Sequence, residues 1–392
     1  MSNQFDMIIA GGGVMGCAIA YNLLKMNDRL RVLVVERDST YVKSSTVLSD
    51  GNIRTQFNIR ENIAISQYGL EVLARFAEEM ATDEHVPDIA FRQQGNIFVV
   101  NEAGRKTAVS GLALQKSMGC TVEWLNGDQI SQIHPLFAPA DAVGGCYGPY
   151  DGTMSPLDVL LGYRRKAIAL GAVVLQADVA RLRQTAGRIH GITLADGTEY
   201  TAPVVVNATG AWANRLGETV GITLPIAPTK RQVYAIETDL HFDRILPLML
   251  LHTGQYLLHE GNGRFATGGA LPSDPITYDD FSWSQSRFEE QLWEGLITYF
   301  PALDRLKVTN GWAGLYAVNT FDGNAILGEW PELPGLFLAN GFSGHGFQQC
   351  HAVGRYLAER ILQQPHALDL SIFSPQRILD NKPVFENPER IV

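Results

Sequence analysis

A short glycine-rich turn near the start of the chain combines residue types and spacing that can hold phosphate. The apolar run 7–10 leads directly into the turn, whose residues are Gly11-Gly12-Gly13-Val14-Met15-Gly16. A second apolar run, 32–35, follows after a helix-length interval and ends on Glu36. Strand, glycine turn, helix, strand and acid occur in this order in dinucleotide-binding units, so the segment predicts such a site.

Each glycine of the pattern Gly11, Gly13 and Gly16 is needed for a different physical reason. Gly11 permits the tight turn, Gly13 lets the backbone approach a pyrophosphate, and Gly16 lets the helix lie close to the strand. Val14 and Met15 begin the helix, whose unpaired N–H groups and positive dipole end would face the phosphates. The Glu36 carboxylate is placed to accept both ribose hydroxyls. The alternative interpretation is a glycine turn of some other α/β protein, without a ligand.

Two further glycine turns follow apolar strands later in the chain. Ala208-Thr209-Gly210 comes after the run 204–207, and the loop 341–346 comes after the run 336–339. A nicotinamide dehydrogenase needs only the first turn, whereas a flavin dinucleotide is larger and must be held along its length. A helix N-terminus after the last loop would stabilise the negative charge of a reduced flavin. An ordinary strand-to-helix turn is the alternative for this loop.

Composition limits the class of protein. A chain of 392 residues with 46% hydrophobic and 18% charged residues is typical of a soluble protein of two domains. The net charge of -10 argues against a nucleic-acid partner. We expect no transmembrane segment, no signal peptide before Phe5, and a cytoplasmic location. Four cysteines lack metal-ligand spacing, so we expect reduced, mostly buried thiols and no metal site.

The remaining pattern alternates between helices, strands and loops. Ser155 is a good N-cap for a helix that has Pro156 in its first turn. The other expected elements are a loop over 44–58, a helix carrying Ile65, Tyr68, Val72 and Phe76, a strand over 91–100, a β-meander turning at 196–197, short strands over 231–269, and a helix over 347–362.

Motifs distributed along the whole chain carry a resemblance to one family. The chain is similar to the glycine/D-amino-acid oxidase family of flavoproteins, and within it to the sarcosine-oxidase-like branch. The segments that carry the resemblance are Gly11 to Gly16 with Glu36-Arg37, Asp151-Gly152-Thr153-Met154-Ser155-Pro156, Asn207-Ala208-Thr209-Gly210-Ala211-Trp212, Trp312-Ala313-Gly314-Leu315-Tyr316, Asn319-Thr320-Phe321-Asp322, and Gly341-Phe342-Ser343-Gly344-His345-Gly346-Phe347-Gln348-Gln349.

The resemblance implies an α/β fold of two domains. A Rossmann-type, glutathione-reductase-like domain would bind FAD and comprise 1–85, 150–225 and 315–375. A mostly antiparallel β-sheet domain of 86–149 and 226–314 would cover the flavin and bind substrate, and 376–392 would form a C-terminal tail. The implied cofactor-binding residues are Gly11, Gly13, Val14, Met15, Gly16, Glu36, Arg37, Ser44, Ser45, Thr46, Ser49, Gly51, Asn52, Val179, Ala208, Thr209, Gly210, Trp212, Gly314, Leu315, Gly344, His345, Gly346, Phe347 and Gln348.

The resemblance also implies a reaction. Family members oxidise amino acids or N-alkylated amino acids: a hydride equivalent passes to flavin N5 and the imine product hydrolyses. We expect a secondary amino acid as substrate, for example sarcosine, iminodiacetate or a cyclic imino acid, with oxygen as acceptor and hydrogen peroxide as product. The alternatives are a D-amino-acid dehydrogenase that reduces a quinone or protein acceptor, and a non-catalytic flavin-bound assembly factor. A homo-oligomer or a partner subunit is compatible with the sequence.

Several residues are candidates for substrate binding. Arg54 matches the segment that carries the family's carboxylate-binding arginine, and Arg60 is the alternative. The family's substrate strand corresponds to 255–260; alternation would place Tyr256 and His259 on opposite faces, so only one would face substrate. The resemblance also places His345, Gln348 and Tyr316 near the flavin or substrate.

Three departures from the monomeric sarcosine oxidase pattern affect these expectations. Gln348 stands where that enzyme has a lysine, so a second cation for the substrate carboxylate is missing at this position. No cysteine lies around Gly314-Leu315-Tyr316, so FAD is expected to be noncovalent. No lysine lies between 252 and 260, where the oxidase has its oxygen-activating cation; a histidine could supply the positive charge.

Overall fold

The computed structural model describes residues 3–386, which form nineteen labelled strands and eleven α-helices connected by loops. In chain order the elements are β1 (Met7–Ala10), α1 (Val14–Met26), β2 (Val32–Glu36), β3 (Asn52–Ile53), α2 (Arg60–Leu73), α3 (Phe76–Glu79), β4 (Asn96–Asn101), α4 (Glu102–Ser117), β5 (Glu123–Leu125), α5 (Gly127–Ile133), β6 (Ala142–Gly148), β7 (Gly152–Thr153), α6 (Pro156–Ala169), β8 (Val173–Gln176), β9 (Val179–Thr185), β10 (Arg188–Leu194), β11 (Glu199–Thr201), β12 (Val204–Asn207), α7 (Ala213–Glu218), β13 (Ile226–Glu237), β14 (Leu248–Leu250), β15 (Gln255–Gly261), β16 (Arg264–Gly269), α8 (Gln285–Gln291), α9 (Trp293–Tyr299), β17 (Lys307–Asn319), β18 (Ile326–Glu329), β19 (Leu336–Asn340), α10 (Gly346–Ile361) and α11 (Gln376–Leu379).

A six-stranded sheet forms the centre of the first layer. Its strands lie in the order β18-β19-β12-β1-β2-β8, and every neighbouring pair is parallel except β18 and β19. The central strands β1, β2, β12 and β19 are apolar except for the residues Glu36, Asn207 and Asn340 at their carboxyl ends, because both faces of the sheet are covered. Ile9 packs in a cluster with helices α1, α6 and α10, whereas Ile8 packs against the three-stranded β-meander β9-β10-β11.

The topology of this sheet brings the three glycine turns to one edge. In β1, Ala10 pairs with Asn207 of β12, which in turn pairs with Leu338 of β19. Because these strands are parallel, the turns that follow their carboxyl ends lie side by side. Strand pairing thus brings together the first and last turns, which are more than 300 residues apart in sequence.

An eight-stranded sheet forms the second layer, in the order β17-β13-β16-β15-β14-β4-β6-β5, and only the β14–β4 pair is parallel. One face packs on α5, α8 and α9 through a cluster that contains Leu257 and Phe265. The opposite face carries Tyr256, Leu250 and Val233. The expected α/β fold with a second, mostly antiparallel sheet is confirmed.

Some element boundaries differ from the expectations. The strand predicted over 91–100 begins only at Asn96, because Gly95 has φ +84°, a left-handed conformation that interrupts an extended chain. The helix predicted to reach Phe76 ends at Leu73, and Phe76 begins the short α3. The loop predicted over 44–58 contains the two-residue strand β3.

The segments of the two layers alternate along the chain. The proposed junction at 225/226 coincides with the start of β13, whereas the junction at 314/315 falls inside β17. Strand β17 pairs with β13 from Lys307 to Asn319, and its second half reaches the last glycine loop, where Gly344 packs against the ring of Tyr316.

The described part of the predicted tail is packed against the body of the protein. Buried Arg377 donates from Nε to Asp322 Oδ2 over 2.7 Å. The Glu386 carboxylate accepts hydrogen bonds of 2.6 Å from Asn58 N and from Asn62 Nδ2. Residues 387–392, the end of the predicted tail, lie outside the described residues, as do residues 1–2.

The cysteines and the helices can be compared with what the composition led us to expect. All four cysteines are free thiols; three are buried and Cys120 is half-buried. None of the helices within residues 3–386 combines the length and apolar character needed to cross a bilayer.

Candidate active site

The first glycine turn has the geometry that its glycines require. Gly11 has φ +101°, and a Cβ there would overlap the Ala208 carbonyl oxygen of the neighbouring turn. A Cβ at Gly16 would overlap the Gly11 carbonyl oxygen, so α1 lies directly against the end of β1. The turn and helix α1 can therefore pack this closely only with glycine at both positions.

A cavity of about 550 Å³, here called the turn cavity, lies along the edge where the three turns meet. It runs between the first turn, the end of β2, the second turn and the start of α10. The cofactor-binding residues predicted from the sequence that line it are Gly11, Gly13, Val14, Met15, Glu36, Arg37, Ser44, Ser45, Thr46, Ser49, Val179, Ala208, Thr209, Gly210, Trp212, Leu315, Gly344, Gly346 and Phe347.

One end of the turn cavity suits an adenosine group. Glu36 is held in place because its Oε2 accepts from Gly12 N over 2.8 Å and its Oε1 from Asp38 N over 3.0 Å. Beside it the Arg37 guanidinium stacks on Trp212, with Cζ 3.6 Å from the ring centroid. Planar groups and a fixed carboxylate at one end can contact a base and a ribose.

The other end of the turn cavity is formed by the last glycine loop. Gly344 has φ +92°, and a Cβ there would overlap the ring of Tyr316. Helix α10 begins at Gly346, so its first N–H groups and the positive end of its dipole lie at this wall. The N-termini of α1 at the first turn and of α10 here can therefore both stabilise negative charge in the turn cavity.

A second cavity, of about 320 Å³ and here called the sheet cavity, lies beneath the eight-stranded sheet. It adjoins the turn cavity, since both are lined by Ser45, Ser49, Leu315, Tyr316 and Gly344. The predicted residues that line the sheet cavity are Ser45, Ser49, Arg54, Tyr256, Gly314, Leu315, Tyr316, Gly344 and His345.

Arg54 is held in the sheet cavity from three sides. Its guanidinium Cζ lies 4.5 Å from the Phe57 ring centroid and 5.2 Å from that of Phe98. Its Nη2 donates to His345 Nε2 over 3.0 Å. Its backbone N donates to Gln348 Oε1 over 2.9 Å. Arg60, the alternative, is exposed and lines neither cavity.

The structure places several predicted residues away from both cavities. Gln348 is buried and directs its amide oxygen at the Arg54 backbone, so it positions the arginine. His259 lies on the opposite sheet face from Tyr256: its Nδ1 accepts from Leu246 N over 3.0 Å, and its ring stacks on Phe265 at 4.7 Å.

Three more predicted cofactor residues have packing roles instead. Gly16 fixes the contact between helix and strand described above. Gly51 has φ +66°, and a Cβ there would overlap the Met154 carbonyl oxygen. The Asn52 side chain donates over 3.0 Å to Asn96 Oδ1 and to the Gly152 carbonyl, which joins β3 to β4 and β7.

Three charged residues of the sheet cavity were not predicted from the sequence: Asp50, Arg231 and Glu386. Asp50 lines this cavity, and burial raises its pKa to about 6. Arg231 of β13 also lines it, and its Cζ lies 5.7 Å from the Tyr316 ring centroid. Asp50 stands only four residues before Arg54, so the same stretch of sequence could have indicated it. The position of Arg231 depends on the pairing of distant strands.

No metal site competes with this interpretation in the described part of the chain. Within residues 3–386, no group of three or more His, Cys, Asp and Glu side chains is placed to hold a metal ion.

Comparison with known proteins identifies the class. The family model of FAD dependent oxidoreductases, DAO, matches residues 6–360, and the chain therefore belongs to this family. FAD-dependent oxidoreductase domain-containing protein 1 of Bos taurus is 33% identical over 394 residues, covering 91% of this chain and 81% of that protein. Glycine oxidase of Geobacillus kaustophilus is 26% identical over 388 residues, covering 96% and 98%. L-proline dehydrogenase from P. horikoshii matches the fold with a TM-score of 0.86 and 26% identity, covering 98% of this chain and all of that one.

Family membership establishes the cofactor and the general reaction. The family and FAD predicted from the sequence are confirmed, and the protein is an FAD-dependent amine or amino-acid oxidoreductase. The residues present fit FAD, because two helix N-termini, a fixed carboxylate and glycines without room for a Cβ line one long cavity.

Proposed function

We propose that the protein oxidises the carbon–nitrogen bond of a secondary, N-substituted amino acid, such as sarcosine or iminodiacetate. The observation that carries this proposal is the position of Arg54 in the sheet cavity, which adjoins the turn cavity at Tyr316 and Gly344. An arginine fork pairs with both oxygens of a carboxylate. A substrate bound through its carboxylate would extend its amine towards the junction of the two cavities.

The similarity to known proteins supports an amino acid as substrate. Glycine oxidase and L-proline dehydrogenase, to which the chain is similar over nearly its whole length, are named for amino acids. L-Proline is itself a secondary amine, as sarcosine and iminodiacetate are. The proposed substrate class therefore combines a free carboxylate with a substituted nitrogen.

The residues of the chain contribute binding, orientation and exclusion of water. FAD, when bound, supplies the two-electron acceptor for the C–H bond beside the nitrogen. Arg54 binds the carboxylate, while His345 and Gln348 hold the arginine at its side chain and backbone. Tyr256 and Tyr316 cover the reacting region with apolar ring surface. Fixing both reactants in this way lowers the entropic cost of reaction. The imine that leaves reacts with water to give an amine and a carbonyl compound.

We also propose noncovalent FAD and oxygen as its oxidant. Leu315, which lines both cavities beside Tyr316, has no nucleophilic atom that could form a bond to the flavin. The Arg54–His345 pair adds positive charge to the wall of the sheet cavity. Positive charge favours the transfer of electrons to oxygen, because the product of that transfer is anionic.

Anaerobic reduction of the purified yellow protein tests the proposal. The panel contains sarcosine, iminodiacetate, L-proline, glycine and D-alanine, and the flavin absorbance band is followed after mixing. We expect bleaching by the secondary amino acids at lower concentrations than by glycine or D-alanine. Acid precipitation should release the yellow colour into the supernatant. A colour that stays with the precipitate would contradict noncovalent binding.

Admission of oxygen to the reduced protein then tests the acceptor. We expect the yellow colour to return with one hydrogen peroxide per flavin. Slow return in air but rapid return with a quinone analogue would contradict the oxidase and identify a dehydrogenase. Failure of every compound to bleach the flavin would overturn the proposed function and favour a flavin-bound assembly factor.

A further inference from the structure

Arg231 is a second guanidinium group in the sheet cavity, at a different wall from Arg54. It lies on β13, where it pairs with Gly314 of β17. Side chains alternate along a strand, so Arg231 shares a sheet face with Val233, which packs beside Tyr256 on the cavity side. Its Cζ lies 5.7 Å from the Tyr316 ring centroid.

The positive charge of Arg231 is only partly balanced by the protein. Its Nη1 donates to Asp274 Oδ2, but the same carboxylate also binds Arg287, whose Nη2 lies 2.6 Å from Asp274 Oδ1. The Asp274 side chain is 2% exposed, so solvent does little to screen this cluster. One carboxylate between two guanidinium groups leaves an excess of one positive charge.

The excess charge is available at Arg231 rather than at Arg287. Arg287 is satisfied behind the sheet, because it donates also to Tyr234 Oη over 3.3 Å and to the Gly269 carbonyl over 3.1 Å. Within residues 3–386, Arg231 donates only from Nη1, and its buried Nε has no hydrogen-bond partner. A buried N–H of a charged group without an acceptor is costly, so this site favours an anion.

The two arginines enter the cavity below different strands of the eight-stranded sheet. Arg54 packs on Phe98 of β4, and four strand intervals separate β4 from β13 in the sheet. With about 4.8 Å per interval, β4 and β13 are about 19 Å apart, and the sheet cavity that both arginines line extends between them. The two arginines therefore provide carboxylate contacts at different walls of the cavity.

Two acidic residues, Glu386 and Asp50, also line the cavity. Glu386 accepts hydrogen bonds from Asn58 N and Asn62 Nδ2, each 2.6 Å away. Asp50 has its pKa raised to about 6 by burial, and its carboxylate would attract a substituted ammonium group rather than a second anion. The cavity thus contains complementary charges for two carboxylates and an amine.

We propose that Arg231 binds a second carboxylate, and that the substrates are therefore secondary amines with a carboxylate on each substituent, N-(carboxyalkyl)amino acids. Arg54 holds the carboxylate beside the carbon that is oxidised, and Arg231 holds the carboxylate of the other substituent. This inference rests on the proposed function for the reaction, but the binding of two carboxylates can be measured without turnover.

Two thioethers without an oxidisable nitrogen provide the direct test. Thiodiacetate carries two carboxylates and (methylthio)acetate carries one, and the Kd of each is measured with the FAD-loaded protein by calorimetry. We expect thiodiacetate to bind about tenfold more tightly or better, since a tenfold ratio corresponds to about 1.4 kcal/mol. Charge-assisted hydrogen bonds commonly reach this strength.

Three variants assign the preference to Arg231. In Arg231→Gln the ratio of the two Kd values should fall to about 1, while (methylthio)acetate binds as to the unaltered protein. Asp274 keeps Arg287 in this variant, so no buried carboxylate is left unpaired. Arg231→Lys should retain part of the preference because it retains the charge. Arg264→Gln, an exposed position in the same sheet, should retain all of it.

The failure of this inference can be separated from failure of the proposed function. Equal Kd values for the two thioethers would overturn the role of Arg231, even if sarcosine and iminodiacetate both bleach the flavin. A preference that survives in Arg231→Gln would also overturn it. Failure of every compound of the panel to bleach the flavin would overturn the proposed function, whereas the thioether ratio would still decide whether the cavity binds two carboxylates.

Discussion

Replacement of Arg54 by alanine should damage substrate binding and leave cofactor binding intact. The variant removes the guanidinium that lies between Phe57, Phe98 and His345. It does not remove the hydrogen bond from the backbone N of residue 54 to Gln348, because that bond uses the main chain. The loop that carries the residue should therefore keep its path.

The size of the effect follows from the chemistry of the lost contact. Truncation of one partner of a buried, hydrogen-bonded charge pair costs about 2–5 kcal/mol. At 25 °C this corresponds to a rise of about 30- to 5,000-fold in KM. Arg54 lines the sheet cavity only, so the affinity for FAD should change little.

Anaerobic flavin reduction at varied substrate concentration measures this effect, and the visible spectrum of each preparation reports its FAD content. Arg60→Gln is the matched control, since this exposed arginine lies six residues further along the same segment. We expect its kinetics to equal those of the unaltered protein. Wild-type kinetics in Arg54→Ala, or a large defect in Arg60→Gln, would refute the assignment of Arg54 as the carboxylate ligand.

Three further predictions concern the cofactor, stability and pH. Gly16→Ala should yield colourless protein, because the new Cβ would overlap the Gly11 carbonyl oxygen and displace α1 from the turn. Arg377→Gln should lower the free energy of unfolding by about 3–5 kcal/mol, measured by denaturant titration, because it leaves Asp322 buried without its cation. The kcat/KM should fall as pH decreases through about 6, because Asp50 then becomes protonated and no longer attracts the substrate ammonium.

Each of these predictions has a control or a contrary outcome. Gly104→Ala, a helical glycine with ordinary space for a Cβ, should remain yellow. Lys382→Gln removes an exposed ion pair close to Arg377 and should not change stability measurably. Asp50→Asn should abolish the decrease in kcat/KM near pH 6; an unchanged pH profile in this variant would exclude Asp50 as the titrating group.

The parts of the site that could be predicted from the sequence are those fixed by local geometry. The first turn is recognisable because Gly11, Gly13 and Gly16 serve one strand–turn–helix unit, together with Glu36 at the end of the next strand. The meeting of three distant turns was also predictable, since parallel strands of one sheet place their carboxyl ends at one edge.

The direction in which individual side chains point was harder to predict from the sequence. Alternation correctly separates Tyr256 from His259, but only the packing of the sheet shows which face meets the cavity. Gln348 has a position expected for a ligand contact, yet it turns back to the Arg54 backbone. Arg231 enters the cavity through the pairing of β13 with β17, a long-range register that no local pattern specifies.

The start of α10 serves both halves of the molecule at once. Gly346 and Phe347 line the space for FAD, while Gln348, the next residue, accepts a hydrogen bond from the backbone of Arg54. We therefore expect the binding of FAD and of substrate to be coupled, and by thermodynamic reciprocity each ligand would change the affinity of the other by the same factor. Carboxylate affinity should for this reason be measured with the FAD-loaded protein rather than the apoprotein. How strongly the protein retains FAD would in turn report whether a ligand occupies the sheet cavity.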